Sequence, residues 1–138
     1  MSYCTTTDLI ERFGETELRE LTDDENLGQI DDAAVARAIA DADAIIDAHI
    51  GTRYSLPLST VPALLTGLSC DLVRVQLYDD IENAAVTNAG NRARALLRDI
   101  RDGKLELPGS NDASAAAIGE PVFAESGRQF TNRNRRGF

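Results

Sequence analysis

The sequence predicts a mainly α fold: a small bundle of four to five helices with a short edge strand and an extended C-terminal arm. Three observations lead there. Apolar residues recur three and four apart through most of residues 5–103, the spacing that lines one face of a helix. Thr, Asp, Gly and Pro stand where those periodic stretches start and stop. After Pro108 the sequence turns to Gly, Ser, Asn, Asp and Ala, with almost nothing to bury.

The chain has 138 residues, 43% of them hydrophobic, enough for one compact core. The domain expectation is a helical body over 1–108 and an arm over 109–138. Thr5 can accept from an exposed backbone N–H, Leu9, Ile10 and Phe13 give the first helix an apolar side, and Gly14 ends it. A short helical turn follows over 15–21, with Leu18 and Leu21 on one face. Asp31 or Asp32 then caps the clearest helix, in which Val35, Ala38, Ile39, Ala42, Ile45, Ile46 and His49 recur at helical spacing. Arg37, Asp41, Asp43 and Asp47 lie mostly elsewhere on its wheel, and Gly51 marks its end after about 19 residues, or roughly 28 Å.

Pro57 forces an extended stretch around Tyr54–Leu58, and Pro62 suits the first turn of a new helix. That helix carries Leu64, Leu65, Leu68, Leu72, Val73 and Leu77 on a wide apolar face, as a central helix wrapped by neighbours would. After a polar turn over 79–83, a last helix begins near Thr87. It holds Ala93, Leu96, Leu97 and Ile100 at core spacing and stops at Gly103. Lys104–Pro108 alternates in the manner of a short edge strand.

The charge is unevenly spread. The whole chain carries 14 basic and 23 acidic side chains, a formal −9, which argues against an electrostatic hold on DNA or an anionic membrane. Residues 1–108 hold 10 basic against 20 acidic side chains, a net −10, whereas 109–138 hold 4 against 3, a net +1. No acid occurs from Gly127 to Phe138. Within the arm, Phe123, Arg128, Phe130, Arg133, Arg135, Arg136 and Phe138 are the candidate partner-binding residues, suited to docking on an acidic neighbour or to phosphates and stacking. Opposite-sign patches on one chain invite self-association.

Catalytic, cofactor and metal sites are not expected. There is no GxGxxG, GxxxxGK or HExxH. His49 is the only histidine and lies on or beside the apolar face of the long helix, so no His-based triad or multi-histidine metal centre is expected within one chain, and it reads as a packed or hydrogen-bonded residue. Cys70 would need His49 as its base, yet Leu68-Ser69-Cys70-Asp71-Leu72 reads as helix interior. Cys4 and Cys70 are expected as buried or idle thiols without a disulfide. The turn from Asp23 to Asp32 faintly follows a calcium loop, but Leu27 takes a ligand place and Ala34 stands where the closing Glu belongs. No stretch approaches the roughly 20 apolar residues of a membrane span, and Met1–Glu11 has no signal-like core, so synthesis in the cytoplasm is expected.

Particular residues carry a family pattern. They are Ser2-Tyr3 with Thr5, Asp8-Leu9-Ile10, Arg12-Phe13-Gly14, Leu21-Thr22-Asp23 and Ile30-Asp31. The pattern continues in Gly51, Arg53-Tyr54, Leu56-Pro57-Leu58, Val61-Pro62, Leu64-Leu65 and Leu77-Tyr78-Asp79. It returns in Ala95-Leu96-Leu97-Arg98-Asp99-Ile100, Gly103-Lys104 and Leu107, and fades in the arm to Phe130 and Arg136-Gly137-Phe138. This pattern resembles the small neck proteins of Mu-like bacteriophages and prophages. The resemblance implies a helical head-to-tail connector, a structural virion subunit forming a homo-oligomeric ring between portal and tail. Twelvefold order would follow if the ring matches related connectors. It also implies the portal and other neck or tail-terminator proteins as partners, DNA passing through without specific binding, and assembly in the bacterial host cytoplasm. Members often have more acids in the Asp23–Asp32 turn, from which Leu27 departs. Two other readings remain open here: a DNA-contacting assembly or packaging accessory that uses the basic arm, and a minor hydrolase built on Cys70 and His49.

Overall fold

In a computed structural model the described residues are 2–109, so the arm and its seven candidate residues lie outside them, Gly109 excepted. The described chain is five helices without a strand. Helix α1 (Thr6–Phe13) opens under a capping box: Thr5 Oγ1 accepts from the Asp8 N–H at 3.2 Å, and the Asp8 carboxylate accepts from the Thr5 N–H at 2.8 Å. Gly14 ends it at φ 93°, a conformation costly for any residue with a Cβ, and α2 (Glu15–Thr22) starts directly behind. Asp31 caps α3 (Asp32–Ile50) by accepting from Ala33 N–H at 2.9 Å and Ala34 N–H at 3.3 Å.

Helix α4 (Ala63–Tyr78) follows Pro62, whose fixed φ suits a helix entry. Between α3 and α4 the chain is irregular, with a cis Leu56–Pro57 peptide bond. Helix α5 (Ala84–Arg101) begins three residues before the expected Thr87. Asn83 is the reason, since its side chain accepts from Ala85 N–H at 3.0 Å and Val86 N–H at 3.2 Å.

Helices α3, α4 and α5 pack on one another, while the α1–α2 pair leans on α4. The expected central helix is therefore α4. Its buried residues Leu65, Leu68, Ser69, Cys70, Leu72 and Val73 sweep roughly 200° of its circumference at about 100° per residue. An arc that wide needs cover from more than one side. Helix α5 comes close to α4 at Gly90, where a Cβ would stand within 2.5 Å of Val75 Cγ2.

Polar ties hold the periphery to this bundle. The N-terminal segment crosses α3, where Tyr3 N–H donates to Asp43 Oδ1 at 3.0 Å and the Tyr3 hydroxyl donates to Asp47. Tyr3 and Cys4 are core residues. This corrects the expectation for Asp43, which is only 8% exposed. On the wheel it sits about 20° from Ile50, on the shoulder of the apolar arc, and the crossing segment covers that shoulder. Burial pushes the Asp43 carboxyl above its ordinary pKa, against the lowering effect of the Tyr3 N–H and the Ser2 side chain.

A second tie joins α2 to α4. Arg74 donates to Glu17 through Nη2 at 2.7 Å and Nε at 3.1 Å, Tyr78 Oη donates to the same carboxylate at 2.9 Å, and the guanidinium stands 4.4 Å from the Phe13 ring centroid.

The edge strand expected over Lys104–Pro108 does not form. Its alternation is real, with Leu107 buried, Leu105 half-buried, and Lys104 and Glu106 exposed, but no neighbouring strand pairs with it among the described residues. The segment is a strap. Leu107 N–H donates to Tyr54 Oη at 3.0 Å, and Arg53 Nη1 donates to the Ile100 carbonyl at 3.2 Å.

Denaturant titrations check substitutions at two positions, Gly90 and Asp43. Gly90→Ala should lose stability in the wild-type background, because displacing Val75 outweighs the helix preference of Ala. In a Val75→Ala background the same change should gain about 1 kcal/mol. Asp43→Ala should lose about 1–3 kcal/mol by stranding the Tyr3 N–H, whereas Asp43→Asn keeps that acceptor and removes a desolvated charge. An acid whose folded pKa is raised makes its ionised form costly above that pKa and not below the unfolded value. The stability of Asp43→Asn relative to wild type should therefore be greatest near neutral pH and shrink as the pH falls through the Asp43 range.

Candidate interaction surface

Of the residues weighed in the sequence for chemistry, those within the described body, Asp23, His49, Cys4 and Cys70, are engaged within the fold, and the seven candidates of the arm lie outside the described residues. In the acidic turn, Asp23 accepts from Leu27 N–H and Gly28 N–H, each at 2.7 Å, one on each carboxylate oxygen. Thr22 Oγ1 accepts from Asp31 N–H at 3.1 Å and donates to the Leu18 carbonyl at 2.9 Å. Asn26 at φ 57° and Gly28 at φ 75° let the backbone fold around Asp23. Among the described residues no three His, Cys, Asp or Glu side chains are grouped as metal ligands.

His49 is half-buried and its Nδ1–H donates to the Ile45 carbonyl at 2.8 Å, so it is a hydrogen-bonded helix residue. Cys4 and Cys70 are both buried and free, and Ser69 Oγ donates to Cys4 Sγ at 3.2 Å. A hydrogen bond to Cys4 and burial push the Cys70 thiol well above its usual range, the reverse of what activates a nucleophile. No hydrogen bond joins His49 to Cys70 among the described residues.

The surface with the features of a docking site is one the sequence reading did not single out. The end of α2, the start of α3 and the end of α4 enclose an open groove of about 520 Å³. Its apolar floor comes from Leu21, Ala38 and Leu77. Its rim carries Asp24, Asp41, Asp79 and Asp80 against the lone cation Arg37. No ion pair neutralises the four acids among the described residues. Two large apolar side chains stand open at this end of the molecule: Ile81, 58% exposed, at the groove, and Leu27, 64% exposed, in the adjoining acidic turn.

Asp79 contributes to the rim from φ 45° and ψ −106°, outside the conformations common to residues with a Cβ. It is where the chain leaves α4 abruptly, with Asp79 N–H still donating to the Val75 carbonyl at 3.2 Å. The groove could be anticipated only in part. The acid run from Asp79 to Glu82 with Ile81 inside it is visible as a local oddity, but its meeting with Asp24 and Asp41 depends on how three helices pack.

A family model described as "Bacteriophage Mu, Gp36" matches residues 3–125. Over 140 residues the chain is 35% identical to a protein named Gene product J of Escherichia phage Mu, with 100% of this chain and 99% of that protein covered. It is 28% identical over 132 residues to the Mu-like prophage FluMu protein gp36 of Haemophilus influenzae, which covers 96% of this chain and 94% of that protein. The resemblance to Mu-like phage proteins is thereby borne out.

With both Asp23 oxygens committed to backbone donors, calorimetric titration of the protein with calcium is expected to give no micromolar binding. A saturable exothermic or endothermic signal at micromolar calcium, abolished by Asp23→Asn, would overturn that expectation.

Proposed function

From the premise that the chain belongs to the bacteriophage Mu Gp36 family, we propose that it is a structural, non-catalytic subunit of the phage virion. In this reading it is a head-to-tail connector, assembled as a homo-oligomeric ring in the neck between portal and tail, in contact with the portal and with other neck or tail-terminator proteins. The observation that carries the reading is the separation of charge within one chain: a helical body at −10 and a last dozen residues with four arginines and no acid. An acidic wall repels phosphates and lets a genome slide, where a basic wall would hold it. The arginines and phenylalanines of the arm, Phe123, Arg128, Phe130, Arg133, Arg135, Arg136 and Phe138, then serve adhesion between subunits.

Those same four arginines favour a second reading, an assembly or packaging accessory that holds DNA through its arm. Sedimentation of the full chain, alone and with portal protein, together with DNA-binding titrations at several salt concentrations, separates the two. The connector reading expects self-association or portal-bound rings and negligible DNA affinity. A species that stays monomeric with portal present, yet binds DNA tightly with a salt dependence that drops in the Arg133→Ser, Arg135→Ser, Arg136→Ser variant, would replace it with the accessory reading.

A further inference from the structure

We propose that the acidic groove between α2, α3 and α4 is the receptor for the arginine- and phenylalanine-bearing C-terminal segment, residues 127–138, of a second copy of this chain; the proposal rests on the homo-oligomeric reading above. The argument starts with complementarity. The groove joins an apolar floor, Leu21, Ala38 and Leu77, to a rim of four carboxylates, Asp24, Asp41, Asp79 and Asp80, which stand beside Arg37 and form no ion pair among the described residues. Residues 127–138 join Phe130 and Phe138 to Arg128, Arg133, Arg135 and Arg136 without an acid among them. Apolar anchors set within a charged frame of opposite sign are how a peptide segment gains both affinity and register. At about 520 Å³ the groove lies within the range that accommodates drug-sized groups, and so can take aromatic side chains. Ile81 and Leu27, exposed at the same end, extend the apolar surface available to them.

The linker of residues 110–126 is long enough for either body, and the homo-oligomeric reading together with the placement of donor and acceptor at opposite poles is the ground for choosing a second copy. The groove lies at the N-terminal end of α3, at Ala34, Arg37, Ala38 and Asp41. The described chain ends at the other pole, where Leu107 is tied to Tyr54 just beyond the C-terminus of α3. From Ala38 to Ile50 the helix alone rises about 18 Å, so the departure point and the groove are separated along the bundle axis. A donor at one pole and an acceptor at the other form a head-to-tail pair that is not self-complementary. Such contacts repeat from copy to copy and close into rings when the rotation allows. Residues 110–126, extended at about 3.3 Å per residue, span roughly 56 Å, ample to reach a neighbour.

The test is a charge-reversal exchange in the full-length chain. The groove variant carries Asp41→Arg and Asp80→Arg, both exposed positions outside the core, and the arm variant carries Arg133→Asp, Arg135→Asp and Arg136→Asp. Circular dichroism establishes that each variant is folded. In sedimentation velocity, each variant alone should lose self-association by about tenfold or more in concentration, because like charges then meet at the contact. An equimolar mixture should recover it, since each variant supplies the partner that the other lacks. Recovery on mixing supports the proposal. Wild-type association with an unaffected groove variant overturns it while leaving the connector reading standing. Restoration only when both sets of changes share one chain, without association, would assign the arm to its own body and also overturn it.

A second measurement decides the case in which the wild type does not self-associate and the connector reading itself fails. A labelled peptide of residues 127–138 is titrated into the arm variant, whose own arm cannot compete for the groove. Salt-sensitive binding that weakens about tenfold or more when Asp41→Arg and Asp80→Arg are added supports the receptor assignment. Binding indifferent to those changes, or none at all, overturns it.

Discussion

Helix α4 imposes the constraint from which the rest of the architecture follows. With residues from Leu65 to Val73 buried round more than half of its circumference, it cannot be satisfied by a single neighbour. Each fully covered Leu or Val contributes about 1.5–3 kcal/mol relative to exposure, which sets the incentive for surrounding it. Helices α3 and α5 cover it on one side, and the α1–α2 pair closes another. The close approach of α5 requires Gly90, whose conformational cost within a helix, about 1 kcal/mol against Ala, is set against contact with Val75. The framework is therefore set by hydrophobic burial between helices, and the polar residues add ties at its periphery.

The polar contacts then fix how the outer segments dock. Glu17 and Arg74 are each about a quarter exposed on their side chains, so their two-point contact is neither screened as at an open surface nor desolvated as in a core. Phe13 beneath the guanidinium ties the end of α1 to the same place. At the other side of the bundle, Asp43 accepts the Tyr3 N–H that would otherwise be buried without a partner. The raised pKa of Asp43 reflects the cost of that placement, because a carboxylate out of water prefers its proton. Its position is explained by the backbone donor it serves.

Much of this was legible in the sequence because it is local. The Thr5 box, the Gly14 stop, a cap at Asp31 or Asp32, the long apolar periodicity of α3 and the central character of α4 follow from residues a few positions apart. The failures share a physical origin. Asp43 was assigned to a wet face because the wheel does not reveal that residues 2–4 return across α3 from forty positions away. Lys104–Pro108 alternates as a strand would, yet alternation reports only which side chains face inward; a strap against Tyr54 satisfies it equally well without a ladder. Asn83 was passed over as a cap because the acids before it already read as a polar turn. The groove escaped for the strongest reason, since its rim draws on Asp24, Asp41 and Asp79–Asp80, three separate segments whose meeting is tertiary.

That tertiary meeting bears on how acidic bodies can associate at all. Each body carries a net −10, and copies approaching within the roughly 8 Å screening length of physiological salt repel one another. Hydrophobic contact alone would have to overcome this repulsion across a whole interface. A basic segment that crosses from one body to the next changes the balance locally: it brings its positive charge to the place where four carboxylates are concentrated and leaves the remaining acidic surface free. In the proposed ring, the same negative surface that discourages indiscriminate association then faces the passing phosphates and keeps them unbound. In that proposed ring cohesion and slipperiness make opposite demands on charge, and the proposal assigns them to different segments of one chain.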